Sequence, residues 1–281
     1  MDSKPNPVDL SGEVALVTGG GRGLGRAFAF ALASAGTSVA VIARSKAQLD
    51  ETVSLIHEQG GRAQAFVADG TDRSAVEQAV RGIESAFGPV SLLVNNAAVD
   101  TPVGPAWEVE PDEWWRGVEI NLRGPFLCAR AVLPGMIERR QGRIINISSG
   151  IGLRVSRNWS AYAVSKCGLT RLTDHLAAET AEFGICVFAI SPGANRTAML
   201  QYLIESPEGQ KWLPGFDKIY EDVPEDRPQK ASELVLRLAS GEADSLSGCY
   251  FTLADNIEEL VQRADEIRRD NLYVLTMNRF V

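Results

Sequence analysis

Residues 14–25 read Val14-Ala15-Leu16-Val17-Thr18-Gly19-Gly20-Gly21-Arg22-Gly23-Leu24-Gly25, and an alanine- and phenylalanine-rich stretch, Arg26–Ala35, follows directly. Four apolar residues bounded by a glycine turn read as a buried strand, and the stretch after the turn reads as a helix. Glycines let the backbone turn tightly and approach a pyrophosphate, while the free amides and dipole of a helix start attract its negative charge. A glycine cluster by itself also makes plain turns. Its place between a strand and a helix, at the start of an alternating chain, is what gives it weight. The spacing is TGxxxGxG rather than GxGxxG.

Outward from this turn the chain repeats the same unit. Short runs rich in β-branched residues recur at Val14–Val17, Val39–Ile42, Ala65–Ala68, Leu92–Asn95, Arg143–Ile147 and Cys186–Ile190, with a last one at Cys249–Leu253. Between them Arg26–Ala35, Ala47–Gln59, Arg73–Phe87, Asp112–Arg140 and Ala161–Phe183 have the length and pattern of crossover helices. Such alternation predicts an α/β fold, a doubly wound parallel sheet with helices on both faces. No Gly-, Ser- or Pro-rich linker divides the chain, so residues 1–281 are read as a single domain with a core over 12–254. Residues 198–228 interrupt the rhythm with Pro207, Pro214, Pro224 and Pro228 set among aromatics, and read as a substrate-loop insertion. Residues 255–281 read as a helical extension. Ile257, Leu260, Val261, Ala264 and Ile267 form an apolar stripe there at helical spacing, which predicts one docked amphipathic helix.

Composition is that of an ordinary globular protein: 45% hydrophobic, 23% charged, net charge −8. With no cluster of Lys and Arg, there is no footprint for nucleic acid or anionic lipid. No stretch is long and apolar enough to span a bilayer, and the polar, proline-containing Met1–Leu10 does not read as a secretion signal. A cytoplasmic protein is expected. Cys128, Cys167, Cys186 and Cys249 are far apart and read as reduced thiols; His57 and His175 have no ligand set nearby, so no metal site is expected.

Tyr162 and Lys166 stand four residues apart on one helix face. A phenol ionises near pH ~10, and a fixed positive charge beside it favours the phenolate. The spacing alone is uninformative, but Asn146-Ile147-Ser148-Ser149-Gly150 lies just upstream at the end of a strand, where ligands of open parallel sheets bind. Asn121 sits in mid-helix, where asparagine competes for backbone hydrogen bonds and asks for a reason.

Taken together these motifs resemble the short-chain dehydrogenase/reductase family, over about Gly12–Gly193. The resemblance implies a Rossmann-type fold and an NAD(P)-dependent oxidoreductase that interconverts a carbonyl and an alcohol. It implies that Gly19, Gly23 and Gly25, with Gly21 and Leu24 beside them, line the cofactor phosphates. Asp69, next to Gly70, would meet the adenine amino group, although a turn carboxylate is the plain alternative. Asn95-Asn96-Ala97-Ala98 matches the family's NNAG, with Ala98 in place of glycine. Pro192, Gly193 and Thr197 would lie along the nicotinamide. The implied catalytic set is Asn121, Ser149, Tyr162 and Lys166. Ser149 would bond the substrate oxygen, with Ser148 its nearest competitor. Tyr162 would protonate the developing alkoxide. Lys166 would lower the phenol pKa and hold the nicotinamide ribose, and Asn121 would keep a helix kink and a proton-relaying water. By resemblance the protein is a homo-oligomer, a tetramer or a dimer, through the helices carrying Asn121 and Tyr162.

For the dinucleotide, Ala43 stands where NAD-preferring members carry Asp, and Arg44 follows it. Arg22 can reach the same phosphate, and guanidinium groups suit phosphate oxygens. NADP is therefore favoured, with NAD the alternative. Val99–Pro111, Ile151–Ser160 and Ala198–Arg227 should border the substrate. They carry Trp107, Trp159, Tyr202, Trp212, Phe216 and Tyr220 with Met199, Leu200 and Leu203, and suggest a bulky hydrophobic or cyclic small molecule. The competing readings are an NAD-linked alcohol dehydrogenase and a dinucleotide-binding sensor or scaffold without catalysis.

Overall fold

The computed structural model describes residues 8–277. The reading of Met1–Leu10 falls mostly outside the described residues, as does the Tyr220 side chain. Seven strands, β1 (Val14–Thr18), β2 (Ser38–Ala43), β3 (Arg62–Val67), β4 (Leu92–Asn95), β5 (Gly142–Ile147), β6 (Ile185–Ser191) and β7 (Tyr250–Thr252), form one sheet in the order β3-β2-β1-β4-β5-β6-β7. Each neighbouring pair is parallel. The order runs outward in both directions from the β1–β4 pair, so the crevice beyond the carboxyl ends of these strands is a topological switch point.

Alternate side chains of each strand serve the two faces, and both faces are covered. Ala15, Val17, Val39, Val41, Phe188 and Ile190 pack under α1 (Gly23–Ser34) and α10 (Arg227–Ala239), with Phe28, Leu32, Val235 and Leu238 closing that layer. Leu16, Ala40, Leu93, Ile144 and Val187 face the other way. They meet Val76, Val80 and Ile83 of α3 (Arg73–Phe87), Val132 and Met136 of α5 (Gly124–Arg139), and Leu176 of α6 (Ser160–Thr180). The remaining crossover helix, α2 (Lys46–Glu58), sets Leu49 and Ile56 into the first layer.

The structure departs from the sequence reading in five places. The stretch read as one helix over 112–140 is two, α4 (Pro111–Val118) and α5, joined by a π-helical turn at Glu119–Arg123. The third strand starts at Arg62 rather than Ala65, because an edge strand alternates exposed with buried residues and so lacks a continuous apolar run. The insertion holds three short helices, α7 (Ala198–Glu205), α8 (Pro207–Trp212) and α9 (Phe216–Glu221). Helix α10 had no place in the sequence reading, although Leu234, Val235 and Leu238 give it a buried face. The C-terminal stripe runs over two short helices, α11 (Ile257–Gln262) and α12 (Ala264–Arg269), divided at Arg263. Ile257, Leu260, Ala264 and Ile267 are nevertheless all buried, since the break keeps them on one side.

Candidate active site

A cleft of about 870 Å³ opens at the carboxyl edge of the sheet. Of the residues that the sequence placed along a dinucleotide, Gly19, Gly21, Arg22, Gly23, Leu24, Arg44, Asp69, Gly70, Asn96, Ala97, Ala98, Tyr162, Lys166, Pro192, Gly193 and Thr197 line it, whereas Gly25 is buried and does not reach its wall. Ser149 lines it too, whereas Asn121 is buried behind the wall.

At one end the glycine turn is fixed from beneath. Thr18 Oγ1 accepts hydrogen bonds from the Asn96 and Ala97 amides at 2.9 and 3.0 Å, and Asn96 Nδ2 donates to Thr18 O at 2.9 Å. The β1 turn and the NNAA segment after β4 are thereby locked together. Gly19 adopts φ +66° and Gly23 φ +54°, conformations that favour glycine. At Gly25 the constraint is space: a Cβ there would lie 2.3 Å from Gly19 O. Arg22, the residue preceding α1, makes no side-chain cap, so the first amides of the helix stay available to an anion. A backbone cradle of this kind fits a pyrophosphate. Ala98 has no left-handed backbone, so its methyl brings no strain to the turn where the family has glycine.

Farther along, Arg22 and Arg44 are both exposed at the cleft rim. Asp69 accepts from the Thr71 amide and hydroxyl at 2.9 and 2.7 Å and pairs with Arg116 at 3.3 Å. Burial pushes its pKa upward, but these hydrogen bonds, with Arg116 and Arg44 nearby, outweigh it and hold the carboxyl below the usual range. The turn role and a place on the cleft wall are thus both present in one side chain.

At the other end, Trp159 stacks on Tyr162, ring centroids 4.8 Å apart. Lys166 Nζ donates to Ile147 O at 2.7 Å and lies 5.7 Å from the centre of the Tyr162 ring. Of the two serines, Ser148 is committed elsewhere: its hydroxyl bonds Lys166 O at 3.1 Å and Thr170 Oγ1 at 2.7 Å, deep in the core. The Ser149 hydroxyl accepts from the Ile151 amide at 3.2 Å and is the hydrogen-bonding neighbour of the Tyr162 phenol.

Burial pushes the phenol up to about 12, against the opposing hydrogen bond from Ser149, and pushes Lys166 down to about 7. The expected lowering of Tyr162 by Lys166 is therefore not what this geometry gives. Desolvation disfavours both charged forms and is the dominant cause of both shifts.

Asn121 sits in the π turn. Its Oδ1 accepts from Val99 N at 2.8 Å, while Nδ2 donates to Val99 O at 2.7 Å and to Ser165 Oγ at 3.0 Å. The side chain thus ties the segment after β4 to α6, one residue from Lys166. Turns of π type are frequent at functional sites.

Fewer aromatics reach the cleft than the sequence suggested. Trp159, Phe216, Met199, Leu200 and Leu203 line it; Trp107 is 84% exposed and, with Tyr202 and Trp212, stands outside the wall. Asp100, which the sequence reading passed over, borders the cleft beside Trp159 and Tyr162. An acid two residues past the Asn95–Ala98 motif was the available signal. Thr18 and Ser165 were likewise missed, and short hydroxyl side chains carry no periodic signal. Among the described residues no three His, Cys, Asp or Glu side chains gather as a metal site.

The sequence profile of the family described as short chain dehydrogenase matches residues 13–208. The chain belongs to that family. A short chain dehydrogenase of Pseudocercospora fijiensis is 33% identical, the match covering 95% of this chain and 90% of the relative. Galactitol 2-dehydrogenase of Rhizobium johnstonii is 36% identical over 85% of this chain and 92% of its own length. Among solved structures, levodione reductase superposes with a TM-score of 0.79 at 29% identity, covering 90% of this chain and 98% of that one. This short-chain dehydrogenase is accordingly an oxidoreductase acting on CH–OH groups, with a nicotinamide dinucleotide as cofactor. Among its described residues no helix is long and apolar enough to cross a membrane.

Proposed function

We propose that the protein reduces a ketone on a bulky hydrophobic or cyclic small molecule to the secondary alcohol, with NADPH preferred over NADH. The observation that carries this reading is the buried Tyr162 phenol, hydrogen-bonded to Ser149 on the wall of a largely apolar cleft, with buried Lys166 beside it. When bound, the dinucleotide supplies the hydride. Ser149 orients the substrate oxygen, and Tyr162 gives its proton as charge develops there.

The electrostatics support the reductive direction. A phenol kept protonated by burial is in the form needed to donate, and an alkoxide is a far stronger base than a phenolate. Lys166, held at the cleft-side end of β5 by its bond to Ile147 O, is the residue that would hold the cofactor ribose. Asn121, through Val99 and Ser165, keeps α6 in register with the NNAA segment.

Replacing Tyr162 by Phe should lower NADPH-dependent ketone reduction by about 100-fold or more while leaving the fold intact. Turnover equal to wild type would remove the mechanism. For the cofactor, Ala43 and exposed Arg44 and Arg22 leave cations and no acid at the end of β2. Arg44→Asp should therefore weaken NADPH binding and improve NADH, read as the ratio of kcat/KM for the two; an unchanged ratio would favour the NAD-linked alternative.

Trp115, Phe126, Leu153, Val155 and Val164 are exposed apolar residues on α4, α5, α6 and the turn before α6. They support the reading of a homo-oligomer, tetramer or dimer, through the helices next to the site.

A further inference from the structure

Asp100 is the acid in the apolar half of the cleft. It is 5% exposed, and its Oδ2 is buried with no hydrogen-bond partner. No Lys, Arg or His pairs with it among the described residues, unlike the half-buried Asp174, which Arg171 meets at 2.8 Å. Trp159 and Tyr162 lie beside it, and these two rings pack in turn with Leu200 and Leu203 of α7 and Phe216 of α9.

A buried carboxyl with an unpartnered oxygen and no cation beside it costs stability, and an apolar side chain in its place would not. Its structural contribution does not explain it either. The Asp100 link to the catalytic wall runs through the backbone: the Trp159 indole N–H donates to Asp100 O at 2.5 Å, and Trp159 stacks on Tyr162. Any residue at position 100 supplies that carbonyl. The carboxyl is left over, close enough to Tyr162 for its charge to act on the phenol.

We propose that Asp100 is a specificity-determining residue whose carboxyl binds a hydroxyl of the substrate beside the reacting carbonyl. The substrate class follows as hydroxyketones on a hydrophobic or cyclic frame, and the vicinal diols they become. A hydroxyl suits this carboxyl in either protonation state, accepting from the protonated acid or donating to the carboxylate. Burial raises the Asp100 pKa to about 7, so both states occur near neutrality. This inference rests on the ketone-reduction reading.

The test compares 2-hydroxycyclohexanone with cyclohexanone in the wild type, Asp100→Leu and Asp100→Asn. Sites built to bond a substrate hydroxyl reject the analogue that lacks it. In the wild type kcat/KM should favour the hydroxyketone by about tenfold or more. Asp100→Leu should erase that preference, the hydroxyketone losing at least tenfold more kcat/KM than cyclohexanone, and Asp100→Asn should retain part of it.

A second readout needs no turnover: the rise in melting temperature on adding cyclohexane diol, against cyclohexanol, each with the dinucleotide present. The diol should give the larger shift in the wild type and an equal one in Asp100→Leu. A preference that survives in the folded Leu variant, a parallel loss of both substrates, or equal shifts from diol and alcohol in the wild type would overturn the proposal. If the diol binds selectively through Asp100 but neither ketone is reduced, the ketone-reduction reading fails and the recognition role stands.

Discussion

Two buried ionisable side chains lie near Tyr162, Asp100 and Lys166, and they make opposite contributions to stability as pH changes. The Asp100 carboxyl is raised from 3.8 to about 7 by burial, so between these values the folded state keeps a proton that the unfolded chain releases. Stability must then fall as pH rises through that window. Lys166 is lowered from 10.5 to about 7 by burial, so above about 7 the unfolded chain keeps the proton that the folded state has lost. Its penalty is fully present below that window and is relieved as pH climbs through it. Asp100→Asn should remove the first slope: in urea unfolding, the variant should gain on the wild type steadily from about pH 4 to about pH 7. Parallel curves would show that Asp100 is solvated. The sequence displayed Tyr162, Lys166 and Ser149 through their mutual spacing, and it left Ser148 as a competitor because adjacent serines differ only in which way they turn. Asp100 offered only its place after the Asn95–Ala98 motif, for a related reason. An acid in a coil segment reads as a solvated loop residue until the chain folds Trp159 over it.

At the scale of elements, the glycine turn and the π turn show what pattern can and cannot carry. The turn was legible because each glycine answers a separate local demand: left-handed backbone at Gly19 and Gly23, and contact with Gly19 O at Gly25. Gly25→Ala leaves the helix propensity of α1 intact or improved, since alanine is the better helix former. Its methyl nevertheless has to push away the Gly19 carbonyl, and with it the amides that approach the phosphates. The expected result is dinucleotide binding weakened by about tenfold or more, by fluorescence titration with NADPH, while the far-ultraviolet spectrum is retained. Unchanged affinity would mean that the cofactor does not depend on this cradle. The π turn at Glu119–Arg123 was visible only as an ill-placed asparagine. Helix periodicity continues across it, and what breaks the helix is tertiary: Val99 and Ser165 draw Asn121 inward. Helix α10 escaped for the converse reason, following a proline-rich insertion that masked its apolar face.

For the whole molecule, the C-terminal segment decides between a covering and a catalytic role. None of residues 255–277 lines the cleft, while Ile257, Leu260, Ala264 and Ile267 pack against Leu246, Cys249 and Phe251 on the face under α10. The chain then returns, so that Tyr250 N donates to Tyr273 O at 2.8 Å and the Tyr273 ring lies 6.0 Å from Phe251. This segment therefore closes the outer edge of the sheet, since β7 is the last strand on that side. Fully burying an aliphatic side chain of this size stabilises by about 1.5–3 kcal/mol, so three of them are a large share of a net stability of about 5–15 kcal/mol. Truncation after Asn256 should accordingly lower the melting temperature by about 10 °C or more. If the truncated chain fails to fold, Ile267→Ala carries the same expectation on a smaller scale, at about 2–5 kcal/mol. In either variant, measured well below its own melting temperature, the substrate KM should equal that of the full chain. A changed KM with unchanged melting would instead put this segment at the cleft of the assembled oligomer, reached from a neighbouring copy.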